Sequence, residues 1–154
     1  MTAEAAMSPR EVPGKPGPLD LAVVIVSYNT RDMLEECLAS VLAETKGIAL
    51  RVHVVDNASS DGSAEMVRRK FPEVILEANG DNVGFARACN QALARKDARH
   101  AVLLNSDTRL FPGSRALEAM VAFMDTHPDV GALGPKILFE DGSSETLTIG
   151  ELWS

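Results

Sequence analysis

From Leu19 onward, short apolar runs of Val, Ile and Leu alternate with longer segments whose apolar residues recur at helical spacing. The first run, Leu21 to Ser27, is nearly continuous in apolar residues, as in a strand covered on both faces of a parallel sheet. After Tyr28-Asn29-Thr30, the spacing of Met33, Leu34, Cys37, Leu38, Val41 and Leu42 predicts a helix over 31–44 that buries these residues. Thr30 or Asn29 is its expected N-cap and Gly47 its close. A second strand is expected over 51–56, then a polar stretch from Asn57 to Ser63, then a short helix ending at Lys70 before Phe71-Pro72. Residues 74–76 read as a third strand, and the turn cluster Asn79 to Asn82 feeds a helix over roughly 84–95. Ala101 to Leu104 is the fourth strand, Pro112-Gly113 precede a helix over 114–126, and 130–133 and 136–139 read as short strands before an Asp141-Gly142 turn.

Repeated strand–helix units with right-handed crossovers imply an α/β fold: an open, mostly parallel sheet with alternating helices. Residues 1–18 hold four prolines and little apolar content, so they read as a disordered tail outside one domain over 19–154. A hydrophobic fraction of 45% and a charged fraction of 24% describe a globular chain, and no apolar run is long enough for a transmembrane segment. No basic region followed by an apolar stretch marks a secretory signal, so the expected location is cytoplasmic. Cys37 and Cys89 lie far apart with no metal-ligand spacing and read as buried thiols.

A net charge of −7 argues against a nucleic-acid partner, which would need many cations to neutralise phosphates. It also means that a diphosphate ligand would require local compensation, for which a divalent cation is suited. Ligands of such sheets bind beyond the carboxyl ends of the strands. Those ends carry Ser27-Tyr28-Asn29, Asp56-Asn57 and Asn105-Ser106-Asp107. Neither G-x-G-x-x-G nor a P-loop follows the first strand, where Ser27 to Arg31 contains no glycine.

Asp56 at a strand end is suited to accept the imide N–H of uracil or thymine, a proton that cytosine lacks at the equivalent position; read alone, the simpler account is an Asx-turn made by Asp56 or Asn57. Asp107 emerges just past an apolar strand, where one carboxylate suffices for a magnesium-type ion whose shell is completed by phosphate and water; the other reading is a turn residue. Gly84 permits a left-handed backbone at a helix start, Arg87 either meets a phosphate or is solvated, and Asn90 ties the helix to a neighbouring loop. His53, His100 and His127 show no ligand spacing. Arg95, Lys96 and Arg99 read as cations at a helix end, favoured by the macrodipole.

Taken in order, the segments Val24 to Asn29, Val54 to Ser63, Asn82 to Asn90 and Leu103 to Asp107 closely resemble the family 2 glycosyltransferases of the GT-A fold, over about residues 21–142. The resemblance implies a donor-nucleotide site formed by Ser27, Tyr28, Asn29, Asp56, Asn57, Asn82, Gly84, Arg87, Asn90, Asn105 and Ser106, with Tyr28 and Asp56 around the base. The family's D-x-D motif, which binds Mg2+ or Mn2+ with the diphosphate, falls on Asn105-Ser106-Asp107. Its first acid is asparagine here, as in a rhamnosyltransferase-like branch, which leaves Asp107 as the metal ligand.

The function this implies is inverting transfer of a sugar from a UDP- or dTDP-sugar donor to a glycan or lipid-linked acceptor, in the cytoplasm or at the inner face of the membrane. The family's acceptor segment and general base are expected beyond Ser154, so no catalytic residue is assigned, and the alternative is an inactive nucleotide-binding fragment or interaction module. A phosphoacceptor signalling domain would want paired acids after the first strand, where Ser27-Tyr28-Asn29 stand instead.

Overall fold

The computed structural model describes residues 19–139 and Ser143. The expected tail over 1–18 and the Asp141-Gly142 turn lie outside the described residues. Four strands and four helices alternate among those described: β1 (Leu19–Ser27), α1 (Arg31–Glu44), β2 (Leu50–Asp56), α2 (Ser63–Lys70), β3 (Ile75–Ala78), α3 (Phe85–Leu93), β4 (Ala98–Asn105) and α4 (Ala116–Thr126). The sheet has the order β3-β2-β1-β4 and every pairing is parallel. The expected open parallel α/β architecture is therefore present, and the direction in which successive strands are added reverses between β1 and β4.

Alternation along each strand divides the interior into two cores. Leu21, Val23 and Ile25 of β1 face α1, α2 and α4 through Leu34, Leu38, Met66 and Leu117. Val24 of β1 and Val55 of β2 face the other way, against Ala88 and Ala92 of α3. Each fully buried Val or Ile adds roughly 1.5–3 kcal/mol relative to an exposed one, so β1, covered on both faces, is the anchor of the sheet. β4 is different: it pairs with β1 alone, and its residues alternate half-buried and exposed, Leu103 remaining 49% exposed.

β4 begins three residues earlier than its apolar run indicates, because its polar start is paired. Arg99 donates to Asp20 at 2.6 Å and to Asp125 at 2.5 Å, and His100 Nε2 lies 2.8 Å from Asp125. The hydrogen bonds from Arg99 and His100 hold the Asp125 carboxyl well below the usual range. Arg99 is thus a strand residue in an ion-pair cluster rather than a cation at a helix end, and Arg95 pairs with Glu77. Further expectations fail. Met33 of α1 is exposed, and the helix closes at Thr45 rather than Gly47. Residues 130–137 form no strand and Leu138 only an isolated bridge. Gly131 and Gly134-Pro135 interrupt this segment, and Ile137 and Phe139 are more than half exposed, so its β-favouring residues gain nothing from burial. No helix among the described residues is long and apolar enough to cross a membrane.

Candidate functional site

The register brings the polar strand ends to one line: Ser27 stands opposite Asp56, Asp56 opposite Ala78, and Val26 opposite Asn105. The edge includes the β1/β4 crevice where the sheet order reverses, the usual ligand position in such folds.

On the β2 side the loops are bound to one another. Asp56 is 2% exposed; its Oδ2 accepts the Ser59 N–H at 3.0 Å, while its buried Oδ1 has no hydrogen-bond partner among the described residues. Asp56 thus carries a turn bond on one oxygen and a free acceptor on the other; the bond reaches the third residue on rather than the second, as an Asx-turn would. Asn29, at φ 52°, donates its N–H to Ser59 Oγ at 2.9 Å and accepts the Ser60 N–H at Oδ1 at 2.8 Å. Asp61 accepts the Arg31 N–H at 2.8 Å and the Ser63 hydroxyl at 2.6 Å. Burial opposes ionisation of Asp61, yet the hydrogen bonds from Ser63 and Arg31 outweigh it and keep its carboxyl below the usual range. Tyr28, between these anchored residues, is 52% exposed, so its ring is available beside the strand end.

Asn57 carries the connection toward α3. Its N–H reaches Ser27 O at 2.8 Å, its amide donates to Gly84 O at 3.3 Å, and its Oδ1 accepts from Asn79 at 3.0 Å. Asn79 and Gln91 exchange a reciprocal amide pair at 2.9 and 3.0 Å. The tie from α3 to its preceding loop is thus made by Gln91; Asn90, expected in that role, is exposed with no side-chain bond among the described residues. Asn82 Oδ1 accepts the Gly84 N–H at 3.0 Å, and Gly84 sits at φ 83°, ψ 163°, a conformation that side chains disfavour. Arg87, one turn into α3, is exposed and makes no ion pair among the described residues.

The β4 side is held from behind. Asn105 O accepts the Thr108 N–H at 3.2 Å and the Thr108 hydroxyl at 2.7 Å, closing a turn around Ser106 and Asp107. From α1, the Cys37 thiol lies 3.6 Å from Asn105 O and Ser40 Oγ accepts the Leu110 N–H at 3.1 Å. Burial pushes the Cys37 thiol up to about 11, so it stays protonated. Cys89 is buried as well, and neither cysteine forms a disulfide. Ser106 is buried, whereas Asn105 and Asp107 are exposed. Among the described residues no group of three or more His, Cys, Asp or Glu is placed to hold a metal. The donor set is one exposed carboxylate, which fits an ion that takes most of its ligands from phosphate and water, and does not fit a structural metal.

The profile of the family described as "Glycosyl transferase family 2" matches residues 22–148. The chain belongs to that family. A curated relative, an N-acetylglucosaminyl-diphospho-decaprenol L-rhamnosyltransferase of Mycobacterium tuberculosis, is 33% identical over 134 residues, covering 80% of this chain and 43% of its own. The abequosyltransferase RfbV of Salmonella typhimurium is 27% identical over 116 residues, covering 71% and 34%. The chain thus spans less than half the length of these family members.

Among solved structures, the mannosyltransferase PcManGT of Pyrobaculum calidifontis, in complex with GDP-Man and Mn2+, superposes with a TM-score of 0.60 at 27% identity, over 77% of this chain and 36% of its own. S. aureus TarS in complex with UDP gives 0.62 at 22% identity, over 78% and 39%, a likeness of fold alone. The fold is that of the GT-A nucleotide-sugar transferases, and the chain is a glycosyltransferase-type domain of this family.

Proposed function

We propose that the chain is the donor-binding part of an inverting glycosyltransferase, taking a UDP- or dTDP-sugar for transfer to a glycan or lipid-linked acceptor. The observation that carries this reading is the buried, partnerless Oδ1 of Asp56 at the carboxyl edge of the sheet. An unmet buried acceptor costs on the order of 1–3 kcal/mol, which a ligand N–H restores. The imide N–H of uracil or thymine is such a donor, and Tyr28 offers an aromatic face beside it. Because Oδ1 is shielded from solvent, binding entails a small movement of the surrounding loop. In this reading Ser27, Asn29, Asn57, Asn82 and Gly84 frame the nucleotide through the hydrogen-bonded loops described above, and Arg87 is available for the diphosphate.

Asp107, with Asn105 and Ser106 beside it, is the proposed ligand for Mg2+ or Mn2+. Such an ion neutralises charge that builds on the departing diphosphate. The relative named a rhamnosyltransferase supports a deoxysugar as the group transferred. The fold by itself does not choose the base, since one neighbour was solved with GDP-Man and another with UDP; Asp56 selects for a ring N–H, which uracil, thymine and guanine carry and cytosine lacks. The reading includes a cytoplasmic location, at the inner face of the membrane where the acceptor is lipid-linked.

Calorimetric titration with UDP, dTDP and GDP, each with and without Mn2+, tests it. Preference for UDP or dTDP, strengthened by Mn2+, is the expected result; equal affinity for GDP removes the pyrimidine preference. Release or transfer of sugar by the purified 154-residue chain separates an enzyme from a nucleotide-binding module.

A further inference from the structure

Thr30 occupies the N-cap position of α1, yet its hydroxyl makes no capping bond to the helix. The Arg31 N–H is taken instead by Asp61. The Thr30 hydroxyl donates to Ser106 Oγ at 2.9 Å, across 76 residues of sequence, and lies 3.1 Å from Ser27 Oγ. A hydroxyl has one proton to give, so with that of Thr30 directed to Ser106, Ser27 is the donor to Thr30. The chain of hydroxyls runs from the fully buried end of β1 to the buried residue that precedes Asp107. Aligned hydroxyls of this kind polarise one another.

We propose that Thr30 is a positioning residue that fixes the distance between the two ends of the donor site. The loops around Asp56 are joined to α1 through the contacts of Asn29 and Asp61, and the turn around Asp107 is joined to the same helix start through Thr30. From α1 the turn and the residues just after it are also held by Cys37, Ser40 and Glu36, the last pairing with Arg109. Loss of the Thr30 hydroxyl frees Ser106 and lets Asp107 wander relative to Asp56. Base and diphosphate of one ligand then meet two loosely spaced contacts rather than a fixed pair. The inference rests on the donor-site reading above.

The test compares the wild-type chain with Thr30→Val and Thr30→Ser, titrating UDP with and without Mn2+. Thr30→Val lowers the Mn2+-dependent gain in affinity by about fivefold, the effect of one ordinary hydrogen bond, and leaves Mn2+-free binding nearly unchanged. Thr30→Ser keeps the hydroxyl and restores the gain. A wild-type gain in Thr30→Val overturns the proposal, as does an equal loss with and without Mn2+ or a failure of Thr30→Ser to rescue. If Thr30→Val does not fold, Ser106→Ala removes the other end of the bond and is expected to lose the gain; retention of the full gain overturns the proposal. If the wild-type chain shows no Mn2+-dependent binding at all, the donor-site reading fails. Amide exchange then decides the positioning role alone: faster exchange at the Thr108 N–H in Thr30→Val supports it, and unchanged protection overturns it.

Discussion

The ends of β2 and β4 lie on one sheet edge and are built in opposite ways. At the end of β2, Asp56 and Asn57 are both 2% exposed, and the loop that follows is bound to Asn29 and Arg31 of the β1–α1 connection. At the end of β4, Asp107 is exposed on a turn fastened to α1 through Ser106 and Asn105. A planar base is recognised by rigid, desolvated partners, because an unpaired buried group penalises the wrong ring. A hard cation asks for an accessible oxygen and room for phosphate and water. The contrast between a tightly bonded side and an open side, with β1 between them, is what the proposed nucleotide-sugar site requires.

The contrast predicts which changes affect which side. The largest effect belongs to Asp56→Asn. It places an NH2 donor where an imide N–H needs an acceptor, so UDP and dTDP affinity falls roughly ten- to a hundredfold with or without Mn2+, as measured by calorimetry. Asp107→Ala comes next: the Mn2+-dependent gain disappears while Mn2+-free binding stays at the wild-type value. Loss of both together would show that the two sides are not separable.

Asp61→Ala acts on stability, removing the acceptor for the Arg31 N–H and the Ser63 hydroxyl. A cost of about 1 kcal/mol is expected, as for a lost helix cap, read from the urea midpoint.

The smallest effect concerns His53, buried within β2. Its Nε2 lies 3.0 Å from Asp97, so the neutral ring carries its proton there and leaves Nδ1 as a buried acceptor without a partner among the described residues. Burial lowers the His53 value below the ordinary 6.5 despite the nearby Asp97 carboxylate. The unfolded chain then binds the proton more readily than the folded one. Stability is full above pH 6.5 and declines as the pH falls from there toward the lowered folded value. His53→Gln should flatten that part of the urea-midpoint profile; an unchanged slope would assign it to other groups.

Much of this was legible in the chain. A nearly continuous apolar run marked β1 because both of its faces are covered, and Val52, Val54 and Val55 marked β2. β4 was readable only in its apolar part, since Arg99 and His100 became strand residues through Asp20 and Asp125, which lie 79 and 25 residues away. The run over 136–139 carried strand-favouring residues without the burial that turns such a preference into a strand. At the site, the order of motifs located Asp56 and Asp107, whose placement needs only the strand ends. The Asn79–Gln91 amide pair and the Thr30–Ser106 bond were not legible, because no spacing rule tells which loop a polar side chain will face. Gln91 and Asn90 are adjacent in sequence, and only the helix phase decides which of them turns toward Asn79.

The borrowed cap of α1 has a consequence for how the chain acquires its shape. A helix that ends in its own Ser or Asp can start from a local signal, but the Arg31 N–H waits for a carboxylate 30 residues later. Closing that loop costs entropy before any bond is gained. The first turn of α1, with Tyr28 and Asn29 just ahead of it, becomes fixed only when the loop after β2 has docked beside it. The proposed recognition is thus tied to completion of the sheet: without β2 in place there is no ordered position for a ligand.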